Sequence, residues 1–479
     1  MKGNKPGKKA RPPGRSYDRQ PDAARLAATR VLYQVYEQGA FANLSARHLL
    51  ESDELDARDR RFAAALIYET LTRTWTIDYI LARISSKPLE KLDPWIRTVL
   101  RMGVWQLYWS RQIPPSAAID EAVRIAGLKA HRGAAGFVNA LLRRLSRDPV
   151  VLPGNDLPLQ TGLPPELFGL LRKWYGEEAA VQIAGSNPGN GTVTARINRL
   201  RTTVAALTAQ MEAAGINCGP GLYCEEALLL TLQGHSVQTL PGWHEGYLSI
   251  QNEAAMLVGR AAGPQRRCRV VDLCAAPGGK TLHLAELSDD QAEILAVDIH
   301  SERLSLIRKE ADRLGLSGIR CLAADSSTGL DQEGRPAFAQ LAGTADLVLA
   351  DVPCSGLGLL ARKPEIRLHM TYERIQRFPP LQAAIMDVAA ILLKPGGRLI
   401  YSTCTINPEE NSGQAAAFLD RHPGMFEPQP LCLPAAVLAR PDLAEQAARG
   451  QLQLLPHLHG TDGFFIAAFR KTGSVTAKS

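Results

Sequence analysis

From Cys268 onward the chain repeats one unit: a short apolar run, a loop of small or acidic residues, then a helical stretch. The runs read at Arg269–Leu273, Glu293–Asp298, Ile319–Ala323, Leu347–Ala350 and Arg398–Ser402. Helices fall between them, including Ser301–Leu314 and Leu381–Leu393. Apolar runs of this length, bounded by Gly and Pro, suit strands buried on both faces. Their alternation with helices predicts a parallel sheet joined by right-handed crossovers. Two later segments, Leu452–Leu455 and Gly463–Phe469, read as a hairpin pair forming an antiparallel edge.

Ligands of open α/β sheets bind beyond the carboxyl ends of the strands, so the residues that close each run are the candidate site. The fourth run ends Asp346-Leu-Val-Leu-Ala-Asp351-Val-Pro353-Cys354, and the fifth ends Tyr401-Ser-Thr403-Cys404. Both thiols are therefore expected to face one crevice. A thiolate is soft, strongly nucleophilic and able to leave again, which suits reversible covalent attack on an electron-poor ring. Zinc is not expected, because none of the eight cysteines forms a C-x-x-C pair. A disulfide is disfavoured in a chain read as intracellular.

Between the first strand and its helix lies Val271-Asp272-Leu273-Cys274-Ala275-Ala276-Pro277-Gly278-Gly279-Lys280-Thr281. Small residues and two glycines let this backbone turn tightly and approach a ligand, and the helix start offers free N–H groups to a carboxylate or other anion. A cation there is disfavoured by the helix dipole, so Lys280 calls for a ligand or carboxylate partner. Asp298, about 20 residues beyond the loop in the spacing typical of ribose-binding acids, can take a ribose diol. Asp325 follows the third strand and can accept from an adenine amino group. A glycine loop with a distant acid fits nicotinamide dinucleotides about as well as S-adenosylmethionine. The Asp-Val-Pro-Cys at the fourth strand tips the reading towards methyl transfer to a ring carbon, since amino-group methyltransferases usually carry Pro-Pro-aromatic there. His244, His369, His457 and His459 show no telling acid spacing and read as structural or surface residues.

The first third of the chain differs. Ala28, Val31, Leu32 and Val35 share a helical face, as do Ile96, Val99, Leu100, Gly103, Val104 and Leu107, and Val138, Leu141, Leu142 and Leu145. Residues 21–147 are expected to be all-helical. Residues 1–20, rich in Pro, Gly and Lys, should be a disordered basic tail. Five prolines within 148–165 mark a linker. Residues 166–253 mix helices (Glu166–Tyr175, Val204–Ala214) with strands (Thr192–Asn198, Leu228–Leu232, Gly246–Ile250), giving a small α+β subdomain before a catalytic domain over 254–473. Net charge is +6 over residues 1–20, +5 over 21–150 and −4 over the rest, an uneven loading that looks like an electrostatic footprint for nucleic acid. No apolar stretch approaches the roughly 18 residues of a membrane span and no apolar region follows the positive start, so a cytoplasmic protein without membrane or metal partners is expected.

Asp272–Thr281, Asp346–Gly356, Lys394-Pro-Gly-Gly397 and Tyr401-Ser-Thr-Cys404-Thr with Pro408-Glu-Glu-Asn411 resemble the NOL/NOP/Sun family of RNA cytosine-5 methyltransferases. Ile113-Pro-Pro-Ser-Ala-Ala-Ile-Asp120-Glu-Ala-Val and Phe137-Val-Asn-Ala-Leu-Leu-Arg-Arg144 resemble NusB-type RNA-binding domains. The resemblance covers about residues 22–470. It implies a NusB-like helical domain, the α+β subdomain and a Rossmann-like class I methyltransferase domain, acting as a monomer on an exposed loop cytosine of 16S ribosomal RNA. It further implies Cys404 as nucleophile, Cys354 as the group aiding release, and Asp351 facing the cytosine N3. S-adenosylmethionine would lie on Cys274, Ala275, Ala276, Pro277, Gly278, Gly279 and Lys280, with Asp298, Arg303, Asp325 and Asp351. Transfer RNA as substrate, a non-catalytic NusB-type scaffold and a nicotinamide oxidoreductase are the competing readings. Gln251-Asn252-Glu253 stands where many members of this family have Gln-Asp.

Overall fold

The structure, a computed structural model, describes residues 20–50, 55–187 and 192–473. The tail expected over residues 1–20 lies outside them but for Gln20. The chain forms two compact units. The first ends at Pro164 and also takes in Lys363–Leu368; the second holds Pro165–Arg362 and the chain from His369.

The first unit is helical, with no strand among its described residues. Its helices are Ala23–Gln38, Ala42–Leu50, Ala57–Thr72, Thr74–Ile84, Pro94–Tyr108, Pro115–Lys129 and Arg132–Arg147, followed by the short Leu157–Thr161. The sequence specifies their starts. Asp22, Asp56 and Asp93 each accept a backbone N–H of the first turn, a cap worth about 1 kcal/mol. Apolar positions at helical spacing, among them Val31, Leu32, Ile77, Leu100, Val138 and Leu142, meet in one core. Gly103 lets Leu142 pack close, since a Cβ would lie 2.8 Å from Leu142 Cδ1 and that side chain would have to shift.

The Pro-rich stretch is not a bare linker. Pro158 stands in the first turn of Leu157–Thr161, where a missing N–H costs nothing, and Asp156 caps that helix. Leu159 is buried, and its carbonyl accepts Thr76 Oγ1 at 2.6 Å. Lys363–Leu368 was not expected here either. Glu365 accepts the Ala42 N–H at 3.3 Å, and Arg367 donates to the Thr161 carbonyl at 3.1 Å.

The second unit contains two sheets. The smaller, of order β2-β3-β1-β4, comprises β1 (Val193–Ile197), β2 (Asn217–Pro220), β3 (Ala227–Thr231) and β4 (Leu248–Ile250), antiparallel throughout. Leu207 and Met211 of helix Val204–Ala213 join its core. Strand β2 and helix Glu177–Gly185 were not legible in the sequence. This segment, the small α+β subdomain expected over residues 166–253, packs within the same compact unit as the larger sheet.

The larger sheet has nine strands: β5 (Arg269–Asp272), β6 (Glu293–Asp298), β7 (Ile319–Asp325), β8 (Leu330–Asp331), β9 (Ala345–Asp351), β10 (Leu393–Thr403), β11 (Phe426–Pro428), β12 (Gln451–Leu454) and β13 (Phe464–Lys471). Its order is β11-β13-β10-β9-β5-β6-β7-β8, with β12 also on β13. Strands β10, β9, β5, β6 and β7 are parallel, as expected. The closing pair is antiparallel as expected, with β12 at the edge and pairing β13 alone among the described strands, but β13 itself is internal. Strand β13 runs antiparallel between β10 and β11, with Phe464–Phe469 all buried, because its apolar residues occupy both faces and need cover on each. The chain winds one way from β5 to β7 and the other way from β9 to β10. The switch point between β5 and β9 therefore sets the loop after Asp272 beside the loop after Asp351.

Candidate active site

At the switch point the loop from Leu273 to Lys280 bridges the ends of β5 and β6. Leu273 N–H bonds to Leu349 O at 2.9 Å and Ala275 N–H to Val297 O at 2.8 Å. Gly278 has φ +109°, a conformation side chains rarely adopt, and a Cβ there would lie 3.0 Å from Ile307. Lys280 sits in the first turn of helix Gly279–Leu287, and its partner is the carboxylate expected of a cation in that place: Nζ donates to Asp351 Oδ2 at 2.6 Å. Burial alone would lower the pKa of this amine, but Asp351 outweighs it and holds Lys280 above its ordinary value.

The other cradle residues converge from β6 and β7. Asp298, buried at the end of β6, accepts from Ala276 N (3.3 Å) and His300 N (3.0 Å), with Arg303 Nη1 at 3.5 Å. Arg303 also donates to the Ala276 carbonyl at 2.7 Å, so it ties Asp298 to the loop. Each carboxylate oxygen retains a second lone pair for a ligand. Asp325 accepts from Ser327 N and Oγ at 2.8 and 2.6 Å; burial pushes its pKa up, but these donors and Thr328 outweigh it and hold it below its usual range. Cys274 is a thiol pushed well above its normal pKa by burial, with Asp272, Asp351 and Asp298 adding to the effect.

The two sequence-predicted thiols do come together. Cys354, three residues past β9, and Cys404, directly after β10, stand with Sγ atoms 3.3 Å apart. The Cys404 contact and burial push Cys354 well above the ordinary thiol pKa. Asp351 lies on the same rim, with Oδ1 taking the Ser402 hydroxyl at 2.7 Å. Its two oxygens thus fix the helix after β5 and the end of β10 simultaneously.

Sequence reasoning passed over three groups. Asp272, closing β5, is buried; Oδ2 accepts Thr281 Oγ1 at 2.6 Å, while Oδ1 has no partner among the described residues. Burial pushes it up to about 7. The signal was present, an acid closing an apolar run just as Asp351 does. Arg196 on β1 is fully buried; it donates to Glu286 (2.9 and 2.8 Å) and Gln251, and to the Gly279 carbonyl at 2.8 Å, so the small sheet holds the start of the cradle helix. Glu410 is the third. Asn252 proves to be a helix cap, accepting Ala254 N and Thr461 Oγ1. His459, read as a structural or surface residue, is structural: Nε2 lies 3.1 Å from Asp442 and Nδ1 accepts the Leu455 N–H.

Residues 261–470 match the family described as 16S rRNA methyltransferase RsmB/F, residues 22–147 the NusB family, and residues 164–238 the ferredoxin-like domain of RsmF/B-like methyltransferases. A probable ribosomal RNA small subunit methyltransferase B of Bacillus subtilis is 36% identical over 464 residues, covering 94% of this chain and 99% of its own. The chain belongs to the RsmB/F methyltransferase family. A ribosomal RNA small subunit methyltransferase B of Pseudomonas putida is 33% identical over 93% of this chain and 98% of its own. Among solved structures, that of PH0851 superposes with a TM-score of 0.81 at 26% identity, over 94% of this chain and 99% of the other. A methyltransferase homolog protein from Pyrococcus horikoshii gives 0.54 at 27% identity, over 67% of this chain and all of the other. RsmB/F membership makes the chain an rRNA methyltransferase with a NusB-type domain. None of the described helices is long and apolar enough to cross a membrane.

Proposed function

We propose that this protein transfers a methyl group from S-adenosylmethionine to carbon 5 of a cytosine in an exposed loop of 16S ribosomal RNA, through a covalent adduct between Cys404 and C6. The observation that carries the reading is the pair of thiols 3.3 Å apart at the ends of adjacent parallel strands, beside the Lys280–Asp351 ion pair. The cradle fits the cofactor on three counts: a glycine loop whose Gly278 holds a backbone conformation that side chains rarely adopt, an acid at the end of β6, and a buried Asp272 oxygen without a partner among the described residues. Cys274–Lys280, Asp298, Arg303 and Asp325 would hold it, and when bound it supplies an activated methyl group.

Everything else falls to the chain's own residues. Cytosine C5 is a weak nucleophile; adding a thiolate to C6 breaks aromaticity and makes C5 enamine-like, dividing one hard step into easier ones. Attack builds negative charge towards N3. Asp351 faces that edge, and Lys280, held as an ammonium by Asp351, brings a positive charge to the same place. Attack is assigned to Cys404, directly after β10, on the resemblance to RNA cytosine-5 methyltransferases, which leaves Cys354 for release. After methyl transfer the C5 proton must leave before the C6–S bond breaks and returns Cys404 as thiolate, and Cys354 stands beside that bond. The target base must be unstacked to expose C6, which favours a loop.

The deciding experiment incubates the purified chain with labelled S-adenosylmethionine and 16S ribosomal RNA from a strain lacking its gene, followed by bisulfite sequencing. A single new 5-methylcytosine is expected. Label in any other base, or in transfer RNA only, overturns the proposal.

A further inference from the structure

The segment Pro408-Glu-Glu-Asn411 joins the two loops that carry the thiols. Glu410 is fully buried. One of its carboxylate oxygens accepts the Ser355 backbone N–H (2.9 Å) and the Gln382 amide (3.0 Å); the other accepts the Ser355 hydroxyl and the Asn407 amide (3.0 Å). Four donors on one buried carboxylate is full occupancy of its lone-pair positions. Ser355 directly follows Cys354, and Gln382 also donates to the carbonyl of Pro353 at 3.0 Å, so the residues on both sides of Cys354 are held.

The same cluster reaches the other thiol. Ser355 Oγ lies 2.7 Å from Thr405 Oγ1, and Thr405 directly follows Cys404. Asn411 accepts the hydroxyl of Thr403, directly before Cys404, at 2.6 Å and donates to the Thr405 carbonyl at 3.0 Å. Tyr401 on β10 donates to the Glu410 carbonyl at 2.6 Å. Every backbone neighbour of the two thiols is thus bonded to Glu410, to Asn411 or to a residue bonded to them. Burial of an acid is costly unless its lone pairs are satisfied, and here that cost is met by Ser355, directly after Cys354, by Gln382, which also holds the Pro353 carbonyl, and by Asn407.

We infer that Glu410 is a positioning residue for the product-release step: its buried carboxylate fixes Cys354 against Cys404 by gripping Ser355, Gln382 and Asn407. The inference rests on the proposed division of labour between the thiols. Glu410→Gln keeps the shape but presents an amide N–H₂ to donors, so two of the four bonds are lost and the loop after β9 shifts. Misplacement of a reacting group by about 1 Å can cost on the order of a hundredfold.

Three measurements on the full chain test it. Turnover by Glu410→Gln should fall by about tenfold to a hundredfold, with KM for RNA falling alongside it and kcat/KM little changed, since the slowed step follows methyl transfer. On denaturing gels the variant should accumulate the methylated RNA–protein adduct, as Cys354→Ala does. Independently of the thiols' roles, diamide should oxidise Cys354 and Cys404 to a disulfide, itself being reduced to the hydrazine, more slowly in Glu410→Gln than in the wild type, read by peptide mass spectrometry. Ser355→Ala, which removes one bond, should move all three readouts in the same direction by less, and serves if Glu410→Gln does not fold. Unchanged disulfide formation in a folded variant overturns the inference. So does a loss of turnover without adduct in a variant whose Cys354→Ala counterpart does accumulate it. Slowed disulfide formation with no adduct in Cys354→Ala would sustain Glu410 as the residue that positions the thiols and overturn instead the release role of Cys354.

Discussion

Lys280 and Asp351 are 71 residues apart in sequence and 2.6 Å apart in the fold. Their contact crosses the switch point of the sheet, joining the helix start after β5 to the last residue of β9. The glycine loop proposed for the cofactor lies on the Lys280 side, and both thiols proposed for the base lie on the Asp351 side. A single ion pair, part-buried, therefore holds the two halves of the site in register.

Asp298→Ala should weaken cofactor binding by about 1.5–3 kcal/mol, the range for hydrogen bonds to charged groups. Part of the loss comes from the loop itself, because the carboxylate also accepts the Ala276 N–H and faces Arg303. Titration calorimetry with S-adenosylmethionine reads it, and unchanged affinity would remove Asp298 from the cradle.

Asp272 gives the fold a pH dependence. Burial raises its carboxyl to about 7, with Thr281 and Lys280 opposing and Asp351 adding to the rise. A carboxyl with a folded-state pKa above its unfolded value of about 3.9 binds more protons in the native state, so it costs stability increasingly as pH rises from about 4 to 7. The full cost, at about 1.4 kcal/mol per unit, is up to about 4 kcal/mol above pH 7. Asp272→Asn removes it. In thermal melts without cofactor, the variant's advantage over the wild type should be larger at pH 8 than at pH 5. Equal differences at the two pH values would show that Asp272 ionises normally.

The elements that carry local signals were legible without the fold. Glu293–Asp298 and Ser301–Leu314 stand where apolar periodicity set them, and Lys280 announced its carboxylate partner by being a cation at a helix start. What was not legible depends on distant partners. Arg196 reads as an ordinary strand arginine until Glu286, 90 residues on, closes over it. Glu410 sits within a motif noted for resemblance, but three of its four donors come from Ser355 and Gln382, 55 and 28 residues away, and only the folded sheet gathers them. Strand β13 looked like an edge because its inner and outer neighbours, β10 and β11, are separated from it in sequence.

RNA affinity is expected to come from residues 1–147. Positive charge is concentrated there, +6 over residues 1–20 and +5 over 21–150, and phosphate neutralisation releases counterions, so binding should weaken steeply with salt. A chain beginning at Pro149 should bind ribosomal RNA more weakly and with a shallower salt slope in filter binding. Equal affinity and slope would assign the footprint to the second unit.

Which thiol attacks is open to direct test. A Cys of a Pro-Cys motif after the fourth strand serves as nucleophile in DNA cytosine-5 methyltransferases, which would select Cys354. The resemblance to the RNA cytosine-5 family selects Cys404 instead and leaves Cys354, 3.3 Å away, for release. If Cys404 attacks, Cys404→Ala forms no adduct, while Cys354→Ala traps methylated RNA on Cys404 because the C5 proton cannot be removed and the C6–S bond cannot break. Denaturing electrophoresis with labelled cofactor and ribosomal RNA separates the two schemes. A stable adduct in Cys404→Ala and none in Cys354→Ala would reverse the assignment, and turnover without an adduct in either variant or the wild type would count against a covalent route altogether.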